Sequence, residues 1–296
     1  MATVIETIEL KKNYGDHEAV RSLNLSVQAG SVCAFLGQNG AGKSSTIKML
    51  LGIIHPTSGK GTIFGHRIDK ERESLLIRER VAFVAEDKRL YDYMSVSQII
   101  RFTRSFFPRW NHTLETDLLK RFELPPERKI RQLSKGMRTK LALLLGFARG
   151  CELLILDEPT EGLDPVAIED VLQIVVSLAA EGTTIFFSSH QIAEVEQVAD
   201  HVLMIDRGKL VLDAPLDRIK EQYRQIQAVF TDPIEERDLR LPGIERVHVE
   251  GRTASVVASH NVDSIVEHVR MLRAGSIDVL PISLKEIFLE KVKARS

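Results

Sequence analysis

Unbroken apolar runs alternate along the chain with segments whose apolar residues return every three or four positions. The runs at 31–36, 153–156 and 183–187 are short and continuous, rich in leucine, β-branched and aromatic residues. A half-exposed strand would alternate polar with apolar, so continuous runs predict strands covered on both faces, as in a parallel sheet under helices. The first run leads into a Gly-rich loop and then a helical pattern over 44–51, closed by Gly52. The second ends in Asp157-Glu158 and the third in Ser188-Ser189-His190. Polar residues therefore gather at the carboxyl ends of the strands, where open α/β sheets place their ligands.

Between the first and second runs, about 87–150 reads as a helical insert. Ser95 with Gln98 forms a capping box before Ile99, Ile100 and Phe102, and Ser134 opens a Leu-rich helix. Farther on, 202–205 and 210–212 flank Asp206-Arg207-Gly208-Lys209, a hairpin signal. Asp213 and Pro215 then predict a helix running to about Arg224. After it, 227–230, 245–249 and 254–257 read as strands, and 262–272 as a helix with Ile265, Val266, Val269 and Leu272 on one side. A second capping box, Ser283 with Glu286, opens a last amphipathic helix through Ile287, Phe288 and Val292. This last stretch of about 70 residues fits a compact α+β domain.

Composition narrows the class. At 296 residues the chain exceeds one ordinary hydrophobic core, so a large domain with a smaller one, or two comparable domains, is expected. The apolar share of 44% suits a folded protein. No apolar stretch approaches the roughly 20 residues that cross a bilayer. Glu6 and Glu9 interrupt the first ten residues, which lack the pattern of a secretory leader, so a cytosolic protein is expected. A net charge of −1 provides no general attraction to nucleic acid or anionic lipid. Cys33 and Cys151 lie in or beside strand-like runs and read as small buried residues, not a disulfide or a metal site.

Gly37-Gln38-Asn39-Gly40-Ala41-Gly42-Lys43-Ser44 matches GxxxxGK[ST]. Its glycines let the backbone curl so that successive amides point inward, and the helix N-terminus adds positive potential, both suited to a polyphosphate. Lys43 would reach the β- and γ-phosphates and Ser44 would ligate magnesium. A phosphate loop alone leaves kinases, GTPases and ATPases open. Asp157-Glu158 at the end of a buried strand narrows the choice: Asp157 can hold the magnesium shell and Glu158 can orient or deprotonate water.

Together these motifs resemble the nucleotide-binding subunits of ABC transporters, over about residues 4–220. Leu133-Ser134-Lys135-Gly136-Met137 is similar to that family's LSGGQ signature, with Lys135 and Met137 in place of Gly and Gln. The resemblance implies an α/β fold, a P-loop NTPase cassette with a parallel sheet core, an N-terminal antiparallel β part and a helical insert, over 1–222. A small α+β domain over 223–296, for dimerisation or regulation, completes it. ATP and Mg2+ are the implied cofactors. Gly37, Asn39, Gly40, Ala41, Gly42, Lys43, Ser44 and Ser45 would hold the phosphates, and Tyr14 would stack on adenine. Ser134 and Gly136 would meet the γ-phosphate bound to a partner ATPase subunit. Asp164, in Gly162-Leu163-Asp164-Pro165, would lie at the interface between the two ATPases. Asp157, Ser44 and Glu86 are the implied metal ligands, Glu86 replacing a more usual Gln. Glu158 and His190 would be catalytic.

The resemblance also implies an integral membrane transporter subunit as partner and a place on the cytoplasmic face of the membrane. Six of the 17 aromatic residues fall between Tyr91 and Trp110, just after Glu86, and Tyr91 and Tyr93 are the expected exposed contacts. The LSKGM signature and the C-terminal domain look like the export-side branch, with an importer subunit the alternative. A soluble ABC-type ATPase acting on ribosomes or DNA is another rival. It would need a second GxxxxGK[ST] or an extended heptad, neither of which is seen, so no nucleic-acid partner is expected.

Overall fold

The computed structural model describes residues 2–293, so Met1 and 294–296, the outer ends of the two expected domains, lie outside the described residues. The chain divides into two compact units at Asp213/Ala214. The first contains, in order, β1 (Thr3–Tyr14), β2 (His17–Gln28), β3 (Val32–Leu36), α1 (Lys43–Leu50), β4 (Ser58–Ile63), β5 (His66–Arg67) and α2 (Glu71–Arg80). β6 (Val81–Val84), α3 (Val96–Arg104), α4 (His112–Arg121), α5 (Lys135–Phe147), β7 (Leu153–Asp157) and α6 (Pro165–Ala180) follow. β8 (Thr184–Ser189), α7 (Ile192–Val198), β9 (His201–Asp206) and β10 (Lys209–Pro215) lead to the division.

A six-stranded sheet in the order β10-β9-β3-β8-β7-β6 forms the centre. β3, β8 and β7, the three continuous runs, are parallel neighbours, and every residue in them is buried. β6 extends the sheet in parallel beside β7. An antiparallel sheet, β2-β1-β4-β5, makes the N-terminal β part. Its inward residues Ile5, Leu10, Val20 and Leu25 join Phe35, Ile47, Ile155 and Phe186 in one core. Phe186 is fully buried, its ring centroid 5.5 Å from that of Phe35. Phe186→Ala is expected to cost about 3–5 kcal/mol of stability through lost burial and the cavity left behind, read as a lowered urea midpoint at unchanged slope.

The insert over 87–150 contains α3, α4 and α5. Ser95 accepts from the Gln98 amide while the Gln98 side chain accepts from the Ser95 amide, closing the capping box. Val96, Ile99 and Ile100 turn inward, leaving Phe102 on the outer side of α3. Cys33 is buried and Cys151 half-buried, both as free thiols, and burial pushes both above the usual thiol range. Among the described residues no helix is long and apolar enough to cross a membrane.

In the second unit, α8 (Leu216–Gln222), β11 (Arg224–Phe230), β12 (Ile244–Glu250), β13 (Thr253–Ala258), α9 (Val262–Met271), β14 (Ala274–Pro281) and α10 (Leu284–Lys293) build a sheet ordered β12-β13-β11-β14. Ile265 and Val269 of α9 pack into its core with Ile226, Phe230 and Val256. Ser283 and Glu286 cap α10 reciprocally; the side chain of Val292 lies outside the described residues.

Three expectations change. Asp213 and Pro215 belong to β10, and α8 starts only at Leu216 because Pro215 is still extended, at φ −57° and ψ 138°. The division falls before α8, not after residue 222, so that helix groups with the second unit. β14 has no counterpart in the sequence pattern. As an edge strand exposed along most of its length, it needs no regular alternation of apolar residues.

Candidate active site

The loop between β3 and α1 is shaped by close approach. A Cβ on Gly37 would sit 2.6 Å from the Ile205 carbonyl oxygen, and one on Gly42 2.5 Å from that of Ala19. Gly42 also has φ +110°, a left-handed conformation hostile to other residues. Ala41 is buried in the core beside Ile47, anchoring the loop from below. Lys43, Ser44 and Ser45 begin α1, and helix geometry leaves their amides without an acceptor farther back in the helix. These residues share the wall of one cleft, where free amides, the helix dipole and the Lys43 ammonium together suit an anion. Lys43 Nζ donates to the carbonyls of Gly37 at 2.8 Å and Gln38 at 3.3 Å.

Across from the loop, the end of β7 delivers the acids. Asp157 is buried, and its Oδ1 accepts from Ser188 Oγ at 2.6 Å. Glu158, also buried, has Oε1 3.1 Å from Lys43 Nζ. That approach is an ion contact without hydrogen-bond alignment, since Oε1 has no aligned donor. Its other oxygen, Oε2, lies 2.9 Å from His190 Nδ1. The phosphate-loop lysine, the strand-end glutamate and the histidine after β8 thus form one chain of contacts. Ser188, which accepts from the Glu158 amide at 3.1 Å while donating to Asp157, ties β8 to it.

A cleft of about 310 Å³ opens over this group, walled by Tyr14, Asn39, Gly40, Gly42, Lys43, Ser44, Ser45, Glu86 and Glu158 among others. Tyr14 ends β1 with its ring about half exposed, and Lys12 Nζ stands 5.1 Å from the ring centroid. A flat ring at the mouth of a phosphate site suits a nucleobase. Ser44 and Glu86 share the wall, and Asp157 lies one residue behind Glu158, so the residues expected to hold a metal would all offer hard oxygens. Among the described residues no three His, Cys, Asp or Glu side chains form a cage of their own. Such a donor set fits Mg2+, which takes one or two carboxylates and completes its shell with phosphate oxygens and water.

Ser134, Gly136 and Asp164 are not on that wall. Ser134 is exposed at the N-cap of α5, accepting from the Met137 amide at 3.2 Å. The start of α5 packs on the loop after β7 within the same chain. A Cβ on Gly136 would lie 3.2 Å from the Gly162 carbonyl oxygen, and Lys135 Nζ donates to Glu161 at 2.7 Å. The Lys135 ammonium holds the Glu161 carboxyl below its usual range. Asp164 caps α6 by accepting from the Ala167 amide at 2.9 Å.

Several residues escaped sequence reasoning. His17, Ala19 and Gln38 line the cleft; Gln38 sat unassigned inside the loop motif, and no spacing signals the other two. Ser188 was visible as a strand end, but its relay between Asp157 and Glu158 needs the β7–β8 pairing. Glu194 of α7 is buried and accepts from Ser189 at 3.1 Å; burial pushes its carboxyl above the usual range.

A glycine loop feeding a helix, with acids at the end of a parallel strand, defines a phosphate-loop nucleotide hydrolase. The family model described as ABC transporter matches residues 20–161. The bacitracin transport ATP-binding protein of Bacillus licheniformis is 38% identical over 76% of this chain and 74% of its own. The Nod factor export ATP-binding protein of Cupriavidus metallidurans is 32% identical, covering 86% of each chain. A solved ATP-binding subunit of an ABC transporter superposes with a TM-score of 0.67 at 29% identity, covering 74% of this chain and 93% of that one. This chain belongs to the ABC transporter ATP-binding proteins: it is an ATP-binding ATPase subunit that powers a transporter.

Proposed function

We propose that two ATPase chains close head to tail on two ATP molecules, each nucleotide held by the phosphate loop of one chain and the start of α5 of the other. The observation that carries this is the one-sidedness of the cleft: its wall holds Tyr14, Lys43, Ser44 and Glu158 but neither Ser134 nor Gly136. Ser134 instead stands exposed at a helix N-terminus, an arrangement that attracts an anion. In this reading Lys43 and the amides of the loop bind the β- and γ-phosphates. Ser44, Asp157 and Glu86 hold Mg2+, which when bound neutralises phosphate charge. Glu158 takes the proton of the attacking water, and His190, which contacts Glu158, reaches the γ-phosphate. Loss of the γ-phosphate removes what Ser134 and Gly136 grip, and the pair reopens.

The stroke passes to an integral membrane subunit, which keeps the chain on the cytoplasmic face of the membrane. Tyr93, Tyr91, Phe102 and Phe106 support this as a docking surface: all are exposed, and in that order neighbouring ring centroids lie 5.1–5.9 Å apart. Trp110, by contrast, is buried core. The name of one relative, for Nod factor export, supports an exporter.

Mixing two inactive variants tests the shared site. Ser134→Arg blocks only the helix-start half and Glu158→Gln only the loop half, so a mixed pair retains one intact site. Equal mixing at random should restore roughly a quarter of wild-type ATP turnover. A mixture no more active than its components would rule out the shared site.

A further inference from the structure

Between Glu86 on the cleft wall and the exposed rings of Tyr91 and Tyr93, the chain turns Lys88 inward. Its Nζ donates to the carbonyl oxygen of Glu158 at 3.0 Å, and the side chain is half-buried. Lys88 is not on the wall of the nucleotide cleft. Burial pushes the Lys88 ammonium below its usual range, against the pull of the nearby carboxylates of Glu161, Asp157, Glu86 and Glu158.

Glu158 needs such a hold. Its φ is +47°, a left-handed conformation that is strained for a non-glycine residue and persists only when its surroundings impose it. Ser188 Oγ accepts from the Glu158 amide at 3.1 Å; at the other end of the residue the carbonyl accepts from Lys88 Nζ at 3.0 Å and, more loosely, from the Glu161 amide at 3.4 Å. With both backbone groups of Glu158 held, the Cα–Cβ bond leaves the turn in a fixed direction, toward Lys43 and His190. That direction places one carboxylate oxygen 3.1 Å from Lys43 Nζ and the other 2.9 Å from His190 Nδ1.

We propose that Lys88 is a positioning residue for hydrolysis: by holding the Glu158 carbonyl it keeps the strained turn, and hence the water-activating carboxylate, aimed at the γ-phosphate site. This rests on the reading of Glu158 as the base. Glu86 lines the cleft itself, whereas Lys88 acts only through another residue.

Full-length Lys88→Met, Lys88→Arg and Glu158→Gln chains, assayed with Mg2+ and ATP, separate the possibilities. Lys88→Met should lower kcat roughly a hundredfold, the scale of an ångström-sized misplacement, with KM and the affinity for a fluorescent ATP analogue unchanged. Lys88→Arg, whose guanidinium can donate to the same carbonyl, should recover most of that rate. Melting curves establish that each variant is folded. Four results would overturn the proposal: wild-type turnover by Lys88→Met, a parallel loss of kcat and nucleotide affinity, no recovery by Lys88→Arg, or failure of both Lys88 variants to fold. Wild-type turnover by Glu158→Gln would instead overturn the assignment of the base, whatever the Lys88 variants do.

Discussion

Glu158→Gln is expected to abolish most ATP turnover, by roughly 10²- to 10⁴-fold in kcat, the range for removal of a general base. Nucleotide binding should survive. Glutamine keeps the shape of the side chain and an oxygen for Lys43 but cannot take a proton from water. It also removes the negative charge 3.1 Å from the Lys43 ammonium, so a bound triphosphate no longer competes with a carboxylate for that cation. ATP should therefore trap the variant as a dimer. Phosphate release under single-turnover conditions and the ATP-dependent mass by light scattering read the two effects separately. Hydrolysis at the wild-type rate would deny Glu158 the role of base, and a monomer in saturating ATP would count against closure of two chains.

Lys43→Ala should fail at the step before. Charge-assisted hydrogen bonds to phosphate contribute about 1.5–3 kcal/mol each, so loss of the ammonium predicts a rise in Kd on the order of a hundredfold. The substitution also strips Glu158 of its buried cation. Left with only its His190 contact, that buried carboxylate is less well compensated, so the melting temperature should fall as well. Titration of a fluorescent nucleotide well below the lowered melting temperature isolates the binding effect. Tight ATP binding by the variant would contradict the phosphate-loop assignment. The two variants thus divide the reaction, Lys43→Ala losing the substrate and Glu158→Gln retaining it unreacted.

Much of the architecture was legible because its signals are local. A strand buried on both faces must be continuously apolar, which marked β3, β7 and β8. A capping box closes within four residues, which marked the starts of α3 and α10. The phosphate loop and the Asp157-Glu158 pair are contiguous for the same reason: each acts through neighbouring backbone groups or a single strand end. β14 stayed hidden because Gly275, Ser276 and Asp278 interrupt its strand-forming residues, and the start of α8 differs because Pro215 serves an extended residue as well as it serves a first helical turn.

Within the site, residue types alone pointed to the chemistry proposed: a lysine and glycines for phosphate, paired acids for metal and water, a histidine after a strand. The partnerships among them were decided only by folding. Ser188 meets Asp157 because β8 lies beside β7, and Lys88 meets Glu158 across 70 residues of chain. Ser134 falls outside the cleft because α5 starts on the loop after β7 and not over the phosphate loop. The physical reason is range: propensity, capping and anion-binding curvature are properties of a few consecutive residues. Hydrogen bonds between distant side chains exist only once sheet order and register bring them within 3 Å or so of each other.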